Sequence, residues 1–496
     1  MAKGKEQEQA QAAAAQPTEL GLLDQIVEQG RFGKDTAARE RGRDMVKQFV
    51  AEVLEGTITM AADTEAMLNA RIAQIDQIIS RQVNAIVHAP EFQKLEATWR
   101  GLRYMLEQSE TSELLKIKVM NVTKKDLLDD LRRAPEFDQS AMFKKVYEEE
   151  YGVFGGSPFG ALLGDYEFSK TGQDMELLEK IAQVSAAAHA PFLTSASHEM
   201  FGLESFTKLD APRDLAKVFD NTEYAKWKAF RESEDSRYIA LAMPRMLLRE
   251  PYGSATVPLD AFQYEEEVDG EEHDKYLWGN AAWALGSRVT QAFAKYGWCA
   301  TIRGVESGGL VEGLPVHTFR TDAGDVAMKC PTETPITDRR EKELADMGFA
   351  PLVHCKGTAN AAFFSVQSAQ KPKVYQSDAA TANARISAQL PYIFAVSRFA
   401  HYLKSMMRDK IGGYMSRDEA QSFLNRWITN YVVGNDDAPM GVKAKRPLRE
   451  ARIEVQEVAG KPGAYRAVAY LRPHFQLDEI SVSMRLVADL PAPAQG

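Results

Sequence analysis

The spacing of the apolar residues constrains this chain most, because it changes partway along. Ile72, Ile75, Ile79, Val83 and Ile86 step by three or four residues, which puts them in one stripe along a helix. Pro90 restarts the pattern, and Phe92, Leu95 and Trp99 continue it, so helices dominate from about Asp44 to Gln108. Such a stripe predicts a helix packed on its own domain, since the heptads are too few for a coiled coil. From Leu115 the period drops to two. Leu115, Ile117 and Val119 alternate with Lys116, Lys118 and Met120, as in a half-exposed strand.

Both periods recur further on. Strand-like segments stand at Tyr238–Met243, Trp298–Arg303 and Ala361–Gln367, and helical patterns at Met175–Ala188 and Ala281–Lys295. The mixture predicts an α+β fold class, with a helical N-terminal segment leading into a mixed α/β core across residues 44–370. Around Lys371 to Asp378 the chain turns polar, which marks a domain boundary. Two helices are expected beyond it, Ala379–Arg408 and Ser416–Val432, the first ending before Gly412-Gly413. The last domain, 379–496, closes in strands. Arg452–Val458 alternates, Gly460-Lys461-Pro462-Gly463 makes a turn, Tyr465–Leu471 returns, and Ile480–Val487 offers a third. A hairpin alone is only marginally stable in water, so this end is expected to pair with something else.

Residues 1–17 are Gln, Ala, Glu and Lys of low complexity ending in Pro17, the composition of a flexible tail. Within the same leading segment, 1–43, an apolar island runs from Leu20 to Val27 and is closed by Gly30. Leu22 with Ile26, and Leu23 with Ile26 and Val27, fall at helical spacings, so a short helix there has one sticky face.

Composition narrows the function classes. With 496 residues, 45% hydrophobic and 26% charged, the bulk of the chain has ample material for buried cores. A net charge of −10 argues against broad nucleic-acid binding, which needs a basic footprint. Three cysteines are too few, and odd in number, for a secreted disulfide framework. The N-terminus Met1 to Lys5 has no apolar core of a signal sequence, and no stretch approaches the ~18 apolar residues that cross a bilayer. The expected location is the cytoplasm, without membrane insertion.

Catalytic patterns are weak. Gly155-Gly156-Ser157-Pro158-Phe159-Gly160-Ala161-Leu162 has two glycines at phosphate-loop spacing, but Ala161-Leu162 stands where Lys and Ser or Thr must hold phosphate and metal. Pro158 also lacks a backbone donor, so a tight turn is the better reading. Ser157 fails as a nucleophile elbow because Phe159 takes the second glycine's place. His198-Glu199 begins like a zinc-protease helix, yet Gly202 replaces the second His. His317, Cys330, His354 and Cys355 have no ligand spacing and read as packed or hydrogen-bonded side chains. The acidic run Glu265 to Glu272 reads as a solvated loop, with a basic partner surface as the minority view. The basic run Lys443, Lys445, Arg446, Arg449 and Arg452 reads as a solvated lead-in to a strand, or as a contact to an acidic neighbour. No cofactor is implied. A metal-dependent enzyme built on the His and Cys residues, or a static cytoplasmic scaffold, are the competing readings.

Long separated segments carry a family resemblance: VNAIVHAPEFQKLEATWRGL at Val83–Leu102, YGVFGGSPFGALLGDYEF at Tyr151–Phe168, and FRESEDSRYIALAMPRMLLREPY at Phe230–Tyr252. Shorter ones are YLWGNAAW at Tyr276–Trp283, AKYGWCATIRG at Ala294–Gly304, RFAHYLK at Arg398–Lys404 and LRPHFQL at Leu471–Leu477. In these stretches the chain resembles the TssC (VipB) family, the large sheath subunit of the bacterial type VI secretion system. The resemblance implies a structural part, not an enzyme. It implies a heterodimer with the small sheath subunit (TssB/VipA) that stacks with other copies in helical rings on a baseplate, around a tube of Hcp. It also implies contraction that expels tube and spike, followed by disassembly by the AAA+ ATPase ClpV. The family's ATPase-recognition helix matches Leu22, Leu23, Asp24, Ile26 and Val27. The inter-subunit strands it implies fall on Arg452, Ile453, Val455, Val458, Tyr465, Val468, Tyr470 and Leu471. Arg417, Asp418, Glu419 and Arg426, on the second C-terminal helix, are candidates for contact with the tube.

Overall fold

The computed structural model of the chain describes residues 36–54, 64–259, 262–321, 323–460 and 464–476. The recognition helix expected at Leu22–Val27 and the third strand expected at Ile480–Val487 lie outside the described residues. Two compact units are distinguished, one of residues 1–82 with 260–264 and one of 83–259 with 265–496. The described part of the first holds helix α1 (Thr36–Leu54) and most of α2 (Thr64–Val87). The apolar stripe of α2 is helical as expected, but the described residues do not bury it. Ile72, Ile75, Ile79 and Ile86 are exposed, Ile72 by 55% and Ile86 by 56%. The periodicity shows that a face needs covering, not that this polypeptide covers it.

The second unit opens with α3 (Pro90–Glu107), whose Pro sits in the first turn where no backbone donor is needed. The segment expected as a strand, Leu115–Met120, has no regular secondary structure and pairs with no strand among the described residues. Ile117 packs against the core, while Val119 and Met120 stay in solvent. Helix α4 (Lys124–Arg133) follows, started by a capping box between Thr123 and Asp126.

The centre is a six-stranded sheet. Its strands are β1 (Leu162–Phe168), β2 (Phe192–Ala196), β3 (Ile239–Met243), β4 (Leu310–Val311), β5 (Ala350–His354) and β6 (Ala361–Phe363), in the spatial order β1-β2-β3-β5-β6-β4. β1, β2, β3 and β5 pair in parallel, and β6 pairs antiparallel with both β5 and β4. Helix α5 (Gly172–Ala188) covers one face and α6 (Ala282–Tyr296) the other. Alternate residues of β3 divide accordingly. Ile239, Leu241 and Met243 join Leu178 and Ile181 of α5, and Ala240 and Ala242 join Trp283 and Leu285 of α6. A strand buried on both faces has no polar side, which is why the segment IALAM is continuously apolar.

Two further expectations need correction. Trp298–Arg303 is not a strand; Gly297 ends α6 in the left-handed conformation, and Trp298 then swings away to stack on Phe399 at 4.3 Å. The segment links two cores instead of joining a ladder. After α7 (Asp338–Asp346), the expected single helix Ala379–Arg408 is two, α8 (Asp378–Ser387) and α9 (Leu390–Asp409). Pro391 in the first turn of α9 explains the break, because it cannot continue the hydrogen bonding of α8. Helix α10 (Arg417–Thr429) and a hairpin of β7 (Leu448–Glu457) and β8 (Tyr465–Pro473) complete the described chain. The whole is α+β. Among the described residues, no helix is long and apolar enough to cross a membrane.

Candidate assembly surfaces

The hairpin is built onto α10. Ser416 and Glu419 close a capping box at the helix start, where Glu419 Oε2 accepts from the Ser416 backbone N–H at 2.8 Å. Ala420, Leu424 and Ile428 then recur at four-residue spacing and are buried, Leu424 and Ile428 in one core with Ile453 and Val455 of β7. The antiparallel register pairs Ile453 with Ala469, Val455 with Ala467 and Arg452 with Tyr470. Successive side chains therefore face opposite sides. Ile453, Val455, Tyr465 and Leu471 turn toward the helices, with Tyr465 and Leu471 at the margin of that core. Arg452, Val468 and Tyr470 lie on the other face, where the Arg452 guanidinium sits 4.9 Å from the Tyr470 ring. Val458 lies past the end of β7 and is exposed. Arg417, Asp418, Glu419 and Arg426 are all exposed; Arg417 pairs with Asp418 at 2.7 Å, and Glu419 is engaged in the cap.

Helix α3 is apolar on two sides. On one, Gly101 lets the indole of Trp283 come so close that a Cβ there would stand 2.3 Å from it, and Met105 is buried beside it. On the other, Phe92, Leu95, Trp99 and Leu106 repeat at helical spacing and are exposed, Trp99 by 64%. Among the described residues, these apolar helix faces stay exposed beside closed cores.

The residues with chemical potential are mostly occupied internally. The Ser157 backbone N–H donates to Glu150 Oε2 at 2.9 Å, so a carboxylate of the chain itself takes a donor that a phosphate loop would offer its ligand. His198 Nδ1 bonds the carbonyl of Leu203 at 2.7 Å in a single helical turn. Of His317, Cys330, His354 and Cys355, the structure brings two together. Burial pushes the Cys330 thiol up, but bonds from His354 and Thr332 outweigh it and hold the thiol below its ordinary range. His354 is raised in turn by Cys330 and also bonds the Thr358 carbonyl at 2.9 Å. His317 stands apart, against Tyr276 Oη at 2.7 Å. Among the described residues, no three His, Cys, Asp or Glu side chains gather as a metal site would require.

The acidic run is not wholly a solvated loop. Glu266 is buried, held by Arg249 at 2.5 and 3.0 Å, by the Tyr252 backbone N–H at 2.9 Å and by His88 at 3.0 Å. A second buried carboxylate, Glu333, takes both Arg245 (2.8 and 2.6 Å) and His273 (2.9 Å). Burial alone would raise its pKa, but the hydrogen bonds from Arg245 and His273 and the Arg245 charge override that and bring it down to about 2. Sequence reading missed this group. Its partners lie 88 and 60 positions away, and no local spacing marks them.

Residues 69–370 match the family described as EvpB/VC_A0108, tail sheath N-terminal domain, and residues 379–490 the one described as EvpB/VC_A0108, tail sheath gpW/gp25-like domain. That defines the class, a tail-sheath protein. The type VI secretion system sheath protein TssC1 of Pseudomonas aeruginosa is 50% identical over 462 residues, which covers 92% of this chain and 93% of that protein. The chain belongs to the TssC/VipB family of type VI secretion sheath proteins. A baseplate chain of the anti-feeding prophage aligns with a TM-score of 0.36 at 9% identity, over 63% of this chain and 66% of that one. A chain of that prophage's contracted helical sheath gives 0.32 at 9%, over 62% and 66%. Likenesses that faint decide nothing further.

Proposed function

We propose that this chain is the large subunit of a contractile sheath, working in the cytoplasm by assembly and not by catalysis. The bare apolar faces carry the reading. Exposed apolar surface costs about 25 cal/mol per Å² when left in water, and contiguous patches of several hundred Å² mark interaction sites. Ile72, Ile75, Ile79 and Ile86, and separately Leu95 and Trp99, are the residues such sites need. In this reading the small sheath subunit (TssB/VipA) covers these helices, and β7–β8 joins strands of neighbouring copies. The rings stack from a baseplate around Hcp, with Arg417, Asp418, Glu419 and Arg426 as candidates to face that tube.

Contraction then needs neither metal nor nucleotide in this chain, because two alternative packings of one interface store the energy. The segment Leu22, Leu23, Asp24, Ile26 and Val27 would lay its apolar face in a groove of the ClpV N-terminal domain. Electron microscopy of the chain co-expressed with the small subunit tests the whole. Tubules of uniform width are expected, and a self-sufficient monomer would refute the proposal. For the tail, Ile26→Asp with Val27→Asp should leave tubules intact and abolish ATPase pulldown; unchanged capture of contracted sheaths would rule that role out. A catalytic reading leans on the Cys330–His354 pair, and a stoichiometric transition metal in the purified protein would revive it.

A further inference from the structure

The three cysteines stand in three different surroundings. Cys299 packs into the core that α6 covers, where its thiol meets the Val289 carbonyl at 3.6 Å and burial pushes its pKa up to about 12. Cys355 is exposed in the turn after β5. Cys330 is half-buried, and donors converge on it. Its sulfur lies 3.2 Å from the Thr332 hydroxyl and is also hydrogen-bonded by the Thr332 backbone N–H and by the ring of His354, the last residue of β5. Nε2 of that ring bonds the Thr358 carbonyl at 2.9 Å. A carbonyl only accepts, so Nε2 carries the hydrogen, and in the neutral ring Nδ1 is left as the proton acceptor. The result is a thiol, a base beside it and a carbonyl that orients the base. Both sides are anchored. The Thr358 backbone N–H and hydroxyl donate to the Cys355 carbonyl at 3.1 and 2.9 Å, which fixes the turn. Beyond Cys330, the Pro331 carbonyl accepts from the Leu247 N–H at 2.8 Å, and the Glu333 N–H donates to the Arg245 carbonyl at 2.9 Å.

We propose that Cys330 is a covalent modification site, a thiol that hydrogen peroxide oxidises to a sulfenic acid while His354 carries the proton. Nδ1 of His354 first takes the thiol proton. The Thr332 hydroxyl, which donates to the Thr334 carbonyl at 3.0 Å, is able to turn and donate to the thiolate. The sulfur then attacks one peroxide oxygen, and the O–O bond breaks. The departing hydroxide takes the proton from His354 and leaves as water, so thiol and peroxide become sulfenic acid and water. The electrostatics agree with the geometry. Burial pushes the Cys330 thiol up, but the bond from His354 brings it below its ordinary range, and the same bond raises the imidazole. The inference is a property of the single chain and does not depend on the sheath reading.

The test follows alkylation of the purified full chain by iodoacetamide, with mass spectrometry reading each cysteine separately. At pH 7, Cys330 should react at least about fivefold faster than Cys355 although Cys355 is the more exposed, and Cys299 should stay unlabelled until the chain unfolds. The rate at Cys330 should also level off at a lower pH than the rate at Cys355. His354→Gln removes the proton acceptor. It should slow Cys330 at least about fivefold at pH 7 and move its pH profile up to that of Cys355, with thermal unfolding and the Cys355 rate unchanged. Should that variant fold poorly, the two wild-type pH profiles decide the question by themselves. Hydrogen peroxide followed by dimedone, which traps sulfenic acids, should label Cys330, and Cys330→Ser should abolish that label. Alkylation at Cys330 no faster than at Cys355, an unshifted profile in folded His354→Gln, or a dimedone label confined to Cys355 would each overturn the proposal.

Discussion

The central sheet and the C-terminal hairpin are both β structure, yet among the described residues only the first is covered on both faces. β3 is covered on both faces, by α5 and α6, and every residue from Ile239 to Met243 is buried. The hairpin is covered by α10 on one face, keeps Tyr470 in solvent and, among the described residues, has no further strand beside β8. The contrast teaches that stability and assembly are handled by separate parts. A closed core holds the fold whether or not partners are present, while the half-covered elements hold contacts in reserve. Parallel strands must be buried on both faces, whereas an antiparallel ribbon tolerates an open side, so the division follows the pairing type.

The largest expected effect tests the closed side of that comparison. Trp227 is 1% exposed and stacks on Phe349 at 5.6 Å between centroids, so Trp227→Ala should cost about 4 kcal/mol in urea unfolding of the free chain. Tyr470→Ala on the hairpin's outer face should stay within about 0.5 kcal/mol by the same measurement. Equal costs at the two positions would erase the distinction between finished and unfinished regions.

The next effect is electrostatic and again belongs to the closed region. Glu333→Gln leaves Arg245 and His273 without their buried carboxylate and should cost about 3 kcal/mol at pH 7. The sign with pH follows from the depressed pKa. The carboxyl titrates near 2 in the folded chain and near 4.3 when unfolded, so its contribution is complete above about pH 4.3 and is lost as pH falls toward 2. Urea midpoints of wild type and variant should therefore converge between pH 4 and pH 2. A gap that persists at pH 2 would mean that packing, not charge, accounts for the loss.

What could be read in advance follows the same division. Elements whose signal is local were legible. α5 and α6 follow their periodicity to within a few residues, and the hairpin its two alternating runs around Gly460. Elements that depend on distant company were not. Leu115–Met120 alternates like a strand but finds no ladder, and Trp298 leaves its segment to reach Phe399. The stripe from Ile72 to Ile86 was legible as a helix and not as an open surface, because periodicity records that a face must be covered and is silent about which chain covers it. Glu266, placed in a charge run that looked solvated, is fixed by Arg249 and His88, which no local pattern announces.

The smallest effect on the chain itself is the most informative about the open side. Trp99 is 64% exposed on α3, and the same helix already has its packed side at Gly101 and Met105, against α6. Trp99→Ser should therefore change the unfolding free energy of the isolated chain by no more than about 0.5 kcal/mol. If the bare face of α3 is a seat for the small subunit, the same substitution should remove most co-purification, since a buried Trp at an interface commonly accounts for 2 kcal/mol or more, roughly a thirtyfold weaker complex. A change that destabilises the free chain by several kcal/mol would show that the indole already packs at home. A change that alters neither stability nor capture would leave the exposed face of α3 without a partner. Only the pairing of a silent chain with a lost partner fits a surface held open for assembly.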